Sequence, residues 1–243
     1  MNKKPRKKLF LSTICIFFVL IVGFFLYTSQ YYHADSSVKE YVKDTKNVKV
    51  ISIKEGLFLD GKGMESALIF YPGGKVDEKA YLPLLMKIAD QGVDCFLIKM
   101  PFHLAFFGMN QADNLLHEYD YKHWYMSGHS LGGAMAAYYA SSHLDKLDGL
   151  VLLAAYPTKS LKTDTFSVLS LYGSEDHVLN MERMKEGDTF MPMHYTKICI
   201  EGGNHGQFGN YGQQKGDGIA TISSKEQQKQ SIDAILTMIK EKE

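Results

Sequence analysis

Gly128-His129-Ser130-Leu131-Gly132-Gly133 is the stretch on which the reading of this chain turns. It follows an apolar run, His123 to Met126, and opens an Ala-rich segment, Leu131 to His143. The pattern G-x-S-x-G between a strand and a helix describes a sharp turn that exposes a serine at its apex. Gly128 and Gly132 leave no side chain to collide with the backbone that such a turn brings close. A helix starting at Leu131 would aim its free N–H groups and the positive end of its dipole at the serine. Ser130 is therefore a candidate nucleophile, and the Leu131 N–H a candidate oxyanion donor. Without partners elsewhere, the same residues would be no more than a Gly-rich turn with a serine helix cap.

A serine hydroxyl is a poor nucleophile until a base takes its proton. Two later apolar runs end at polar residues suited to that task. Phe166 to Tyr172 leads into Gly173-Ser174-Glu175-Asp176, where Asp176 is the expected acid and Glu175 the alternative. Tyr195 to Ile200 leads into Glu201-Gly202-Gly203-Asn204-His205-Gly206, and His205 is the expected general base, its tautomer fixed by Asp176. His129 is a poor candidate, because it adjoins the nucleophile and its side chain should point away. A second oxyanion donor is expected after the run Ala67 to Tyr71, in Pro72-Gly73-Gly74-Lys75, with Gly74 first and Lys75 second.

The rest of the chain alternates strand and helix signals. Val48 to Ile53 alternates as an edge strand, and Gly56 to Asp60 with Gly61 and Gly63 suggests a hairpin with a turn. Ala67 to Tyr71, Val93 to Met100, Leu147 to Ala155, Phe166 to Tyr172 and Tyr195 to Ile200 are near-continuous apolar runs, the mark of buried parallel strands. Glu78 to Gln91 and Ser224 to Glu241 carry apolar residues at helical spacing. This predicts a doubly wound, mostly parallel α/β sheet, whose ligands bind beyond the carboxyl ends of the strands. All the candidate site residues fall at those ends.

The N-terminus reads differently. Lys3, Lys4, Arg6, Lys7 and Lys8 precede an apolar run from Leu9 to Tyr27. Nineteen residues at 1.5 Å each span about 28 Å, close to the hydrocarbon thickness of a bilayer. The run is longer than the apolar region of a cleaved signal peptide and lacks a small-x-small site after it. The positive-inside rule then puts residues 1–8 in the cytoplasm and the globular part outside a cell membrane crossed once by 9–27, or secreted if the segment is cleaved. Residues 28–47 read as a polar tether, with a short amphipathic helix as the alternative over 33–47, and 48–243 as the folded domain.

The 243 residues are 45% hydrophobic and 22% charged with zero formal net charge, which offers nothing to a nucleic-acid surface. The nine histidines show no metal-ligand spacing, and no metal, cofactor or protein partner is implied. Cys15 lies in the apolar run, and Cys95 and Cys199 sit in stretches read as buried strands, whose pairing is left open.

With Tyr71-Pro72-Gly73-Gly74-Lys75-Val76, Lys99-Met100-Pro101, Gly128 to Gly133, Tyr172-Gly173-Ser174, Gly202-Gly203-Asn204-His205 and Gln207-Phe208-Gly209, the chain resembles the α/β-hydrolase superfamily. It is most similar to bacterial hydrolases of the alpha/beta hydrolase family 5 type, over about residues 65–240. The resemblance implies a Ser130, Asp176, His205 triad, with Leu131 and the Gly73-Gly74-Lys75 loop around the oxyanion. It supplies no substrate, since the fold hosts many chemistries. The expectation is a serine hydrolase acting on a small ester or acyl substrate, esterase-like. A peptidase, thioesterase or acyltransferase is the alternative within the fold, and a non-catalytic binding module the alternative outside it. Only Tyr156 to Thr165 separates two strands where relatives insert a lid, so no lid domain is expected. Pro101 to Tyr121, with Phe102, Leu104, Phe106, Phe107 and Met109, reads either as an apolar wall for the substrate or as core.

Overall fold

The computed structural model describes residues 4–63 and 65–242, with 4–9 and 11 described by backbone alone. Lys3 of the basic segment and Glu243 lie outside the described residues. The chain divides into two compact units, 1–31 and 32–243. The first is the helix α1 (Lys4–Ser29). Its stretch Ser12–Ser29 is long and apolar enough to cross a membrane, features that a signal sequence shares.

The second unit is built on one eight-stranded sheet. Its strands are β1 (Lys49–Ile53), β2 (Gly56–Asp60), β3 (Ser66–Tyr71), β4 (Asp94–Ile98), β5 (His123–His129), β6 (Gly149–Leu153), β7 (Ser167–Gly173) and β8 (His194–Ile200). They lie in the order β1-β2-β4-β3-β5-β6-β7-β8. β1 and β2 are antiparallel to each other, and β2 to β4; all later neighbours are parallel. Helices α2 (Leu82–Asp90), α3 (Ala112–Glu118), α4 (Leu131–Ala140), α5 (Met181–Gly187) and α6 (Ser224–Lys240) complete the unit.

The sheet has a core on each face because its central strands are buried on both sides, which is why they read as unbroken apolar runs. In β3, Leu68 and Phe70 face one core with Leu85 and Ile88 of α2 and Ile235 of α6. Ala67, Ile69 and Tyr71 face the other, with Ala136 and Ala140 of α4 and Leu115 of α3. Pro83 sits in the first turn of α2, where its missing N–H costs nothing, and the Ser223 side chain caps α6 by accepting from the Glu226 N–H.

Three expectations need correction. The hairpin turn is Lys54-Glu55, between β1 and β2; Gly61 and Gly63 instead admit the Ala89 and Gly92 carbonyls, which a Cβ would meet at 2.3 and 1.7 Å. Residues 32–47 are not a free tether. Tyr32 adds a parallel bridge beside Val76, its N–H donating to the Lys75 carbonyl at 2.7 Å and its carbonyl accepting from the Asp77 N–H at 2.8 Å. The Asp35 N–H reaches the Asn210 carbonyl at 2.9 Å, a short 3-10 helix follows at Ser36–Tyr41, and Val38 is buried. Main-chain hydrogen bonds hold this segment, and composition does not reveal those. Finally, Cys199 is exposed on edge strand β8, and both it and buried Cys95 are free.

The start of α4 is packed against backbone as well. A Cβ on Gly132 would lie 2.2 Å from the carbonyl oxygens of Tyr71 and Pro72, and one on Gly128 2.6 Å from Gly132 C and Gly133 N. Both obstacles are backbone and cannot rotate away. Gly132→Ala is therefore expected to lower unfolding stability by about 1–3 kcal/mol or to prevent folding. Chemical denaturation of the full chain in detergent micelles measures this, and an unchanged midpoint would contradict the packing.

Candidate active site

Ser130 stands at the β5–α4 turn with φ 52° and ψ −124°, a conformation strained for any residue but glycine. Its N–H donates to the Leu153 carbonyl at 2.9 Å, and its carbonyl accepts from Ala134 at 3.0 Å. These two bonds fasten the turn to β6 and to the first turn of α4. Leu131 is the first residue of α4, so its N–H has no acceptor within the helix. Five non-glycine residues have φ in the left-handed region among the described residues: Lys75, Phe102, His103, Ser130 and Ala154. They follow β3, β4, β5 and β6, so this backbone strain is gathered at the carboxyl rim of four neighbouring strands.

His205 follows β8 and Asp176 follows β7. His205 Nδ1 is 2.9 Å from Asp176 Oδ2, and the two side chains are 1% and 0% exposed. Asp176 Oδ1 accepts from the N–H groups of Val178 at 2.9 Å and Leu179 at 2.8 Å. Nδ1 therefore donates, which leaves Nε2 as the lone-pair nitrogen. Nε2 is buried and has no partner among the described residues. Glu175, the alternative acid, is turned elsewhere: its carboxylate accepts from the Ser174 hydroxyl at 3.1 Å, and its N–H donates to the Gly203 carbonyl at 2.8 Å.

The His205 loop is held by two side chains from further along the chain. Asp217 accepts from the N–H of His205 at 3.2 Å and of Gly206 at 2.8 Å. Buried Gln227 of α6 accepts from the Asn204 N–H at 3.0 Å and donates to the Asn204 carbonyl at 2.8 Å. No spacing rule points to them, because each is a long-range contact to backbone.

The loop after β3 lies against the start of α4: a Cβ on Gly74 would be 2.9 Å from Leu131 Cδ2. The Gly74 N–H has no acceptor among the described residues, whereas the Lys75 N–H donates to the His103 carbonyl at 2.7 Å. His129 is buried with its ring turned to Tyr81 and to the His205 backbone, away from the serine as expected.

Ser130 and His205 line one cavity of about 290 Å³, walled by Ala134, Ala155, Tyr156, Val178 and Leu179. The aromatic loop after β4 is not part of it. Phe102, Phe106 and Phe107 are 42%, 64% and 49% exposed, with Phe107 edge-to-face against the other two, whereas Ala105 and Leu115 of the same stretch are core and Met109 packs against it. The segment between β6 and β7 carries no helix, so no lid element stands there. Among the described residues no group of three or more His, Cys, Asp or Glu could hold a metal ion.

The sheet order, with its reversal at β4-β3 and its sharp serine turn after β5, is that of an α/β-hydrolase fold. The model of the Alpha/beta hydrolase family, Abhydrolase_5, matches residues 67–229, and the chain belongs to that family. No curated protein matches it in sequence. Solved structures similar in fold include a predicted CIB-like hydrolase from Thermoplasma acidophilum, at 16% identity and TM-score 0.56, covering 77% of this chain and 97% of that one. Est1E from Butyrivibrio proteoclasticus, with ferulic acid bound, aligns at 14% identity and TM-score 0.57 over 81% and 98%. A monoacylglycerol lipase from Paleococcus ferrophilus aligns at 14% and 0.56 over 72% and 96%.

Burial holds the His129 pKa well below the usual histidine value, the nearby His205 adds to this, and the hydrogen bond to the His205 carbonyl opposes it. The folded protein thus keeps His129 neutral where the unfolded chain protonates it, below about pH 6.5. The sign follows: stability is full above that pH and falls as the pH drops, by up to about 1.4 kcal/mol per pH unit from this group. Denaturation of the full chain in micelles from pH 7 to 5 should show that slope, and His129→Gln should flatten it by up to one proton.

Proposed function

We propose that this chain is a serine hydrolase acting on carboxylic esters, with Ser130 as nucleophile, His205 as general base and Asp176 as the acid that orients it. The observation that carries the reading is the state of His205. One of its nitrogens is tied to a buried carboxylate, the other is buried without a partner, and the residue shares a cavity with a strained serine. A buried lone pair with no donor is costly unless a substrate-bound state uses it.

In this reading His205 Nε2 takes the Ser130 proton as Oγ attacks the ester carbonyl. The tetrahedral oxyanion is met by the N–H groups of Leu131 and Gly74. Of the loop's two expected donors, Gly74 is the better supported, because the Lys75 N–H is already engaged by His103. His205 then protonates the leaving alkoxide, and water repeats the sequence to free Ser130 from its acyl group. Asp176 holds the tautomer and stabilises the imidazolium.

The cavity lies at the small end of ligand pockets and is mostly aliphatic, which favours a short acyl group. The fold neighbours agree with an ester substrate in that one is a monoacylglycerol lipase. The basic residues ahead of an 18-residue apolar stretch support a signal anchor with the hydrolase unit outside the cytoplasmic membrane.

A fluorophosphonate probe should label the full chain and leave Ser130→Ala unlabelled. Against p-nitrophenyl esters of rising length, kcat/KM should be highest for the shortest acyl groups, and Asp176→Asn should lower kcat by about 10⁴-fold. Labelling that survives Ser130→Ala, or its absence from the native chain, would end the proposal. Amide or thioester turnover above ester turnover would move it to another member of the class.

A further inference from the structure

Tyr81 is fully buried at the start of α2, and its hydroxyl has two neighbours. It accepts from the Gly73 N–H at 3.1 Å and lies 2.8 Å from His129 Nδ1. On the other side of the ring, His129 Nε2 is 3.0 Å from the His205 carbonyl oxygen. The ends of this chain are unambiguous: an amide N–H can only donate and a carbonyl can only accept. Every proton between them is therefore placed. The tyrosine proton goes to Nδ1, and the imidazole carries its own proton on Nε2, donated to His205.

The chain joins three loops that do not otherwise meet in hydrogen bonding: the Gly73-Gly74 turn after β3, the residue preceding the nucleophile, and the backbone of the base. Gly73 is clamped from both ends, since its carbonyl accepts from the Val76 N–H at 3.3 Å. That sets the plane of the Gly73–Gly74 peptide, and with it the direction of the Gly74 N–H. His205 is clamped likewise, its N–H by Asp217, its Nδ1 by Asp176 and its carbonyl by His129. The contacts leave no slack: a Cβ on Gly73 would lie 2.7 Å from His129 Nδ1 and 2.8 Å from the Tyr81 oxygen. The rings of His129 and His205 pack at 4.6 Å.

We propose that Tyr81 and His129 are positioning residues that couple the oxyanion loop to the general base, so that donor, nucleophile turn and base hold one geometry. This rests on the serine-hydrolase reading. Neither side chain touches the reacting atoms. Burial keeps His129 neutral, which the Nε2–H tautomer requires.

Tyr81→Phe removes one oxygen and keeps the ring. In the full chain in micelles it should lower kcat for p-nitrophenyl acetate at least tenfold with KM within twofold, because orientation is lost in the transition state and substrate contact is not. His129→Gln should retain more activity than His129→Ala, since its amide can still donate toward the His205 carbonyl. Far-UV circular dichroism and the melting curve establish that each variant is folded. ¹⁵N spectra of the imidazoles at pH 7 should show His129 protonated on Nε2 alone, with Nδ1 shifting in Tyr81→Phe. Unchanged kcat in Tyr81→Phe, a loss carried by KM alone, or a proton on Nδ1 would overturn the coupling. Should the native chain show no ester turnover or serine labelling, the hydrolase reading fails. The Nδ1 shift then decides alone whether the Tyr81–His129 link exists.

Discussion

Everything at the rim of the sheet depends on how closely the first turn of α4 approaches the ends of β3 and β5. Gly132 faces the carbonyls of Tyr71 and Pro72 across a gap that no Cβ can enter. That approach brings the loop after β3 against the Leu131 side chain, at the start of a helix whose first N–H groups have no acceptor within it. It also forces Ser130 into a backbone conformation that costs of order 1–3 kcal/mol in isolation. The cost is offset by what surrounds it: the bond from Ser130 N–H to Leu153, the first turn of α4, and small residues (Gly133, Ala136, Ala137, Ala140) that let this helix lie close to the sheet.

Strain of this kind is not confined to the serine. Lys75, Phe102, His103 and Ala154 are left-handed too, and hydrogen bonds link some of them: the Lys75 N–H is held by the His103 carbonyl, and the Ala154 N–H by Leu171. The loops after β3 and β4 thus support each other, and the loop after β6 is tied to β7. Tyr32 adds a further brace on the Lys75 carbonyl, so the segment that precedes the sheet in sequence helps to shape the loop beside Gly74. These unfavourable backbone conformations persist where main-chain bonds to neighbouring strands and loops hold them, as at Lys75, His103, Ser130 and Ala154.

How much of this was legible in the sequence follows from what kind of force acts where. Strands buried on both faces must be apolar throughout, so β3 to β7 stood out, and the turn residues after them marked the rim where Ser130, Asp176 and His205 lie. β8 was read as buried by the same rule, but it is an edge strand, and Cys199 on it is exposed. Asp176 was read ahead of Glu175, and the loop turns the Asp176 carboxylate to the His205 ring and that of Glu175 to the Ser174 hydroxyl, since adjacent residues point in different directions. Main-chain bonds were invisible. Nothing in the composition of 32–47 announced that its backbone pairs with Lys75, Asp77 and Asn210, and nothing near Lys75 announced that its N–H was taken. Phe102, Phe106 and Phe107 misled in another way. Apolar side chains after a strand suggest a pocket or core, yet these three are exposed and outside the cavity lining, while Ala105 and Leu115 of the same stretch are core.

The His205 loop shows why polar contacts rather than apolar packing were needed at this rim. Its glycines at 202, 203 and 206 provide a path for the chain but no side chains to bury, so packing cannot fix its course. Asp217 takes up two consecutive N–H groups, Gln227 closes a two-way pair with Asn204, and Asp176 fixes the imidazole. Each of these is directional, which burial of hydrocarbon is not. With its N–H, carbonyl and Nδ1 all engaged, His205 has one polar atom left over, and that atom is the one a proton from Ser130 would need.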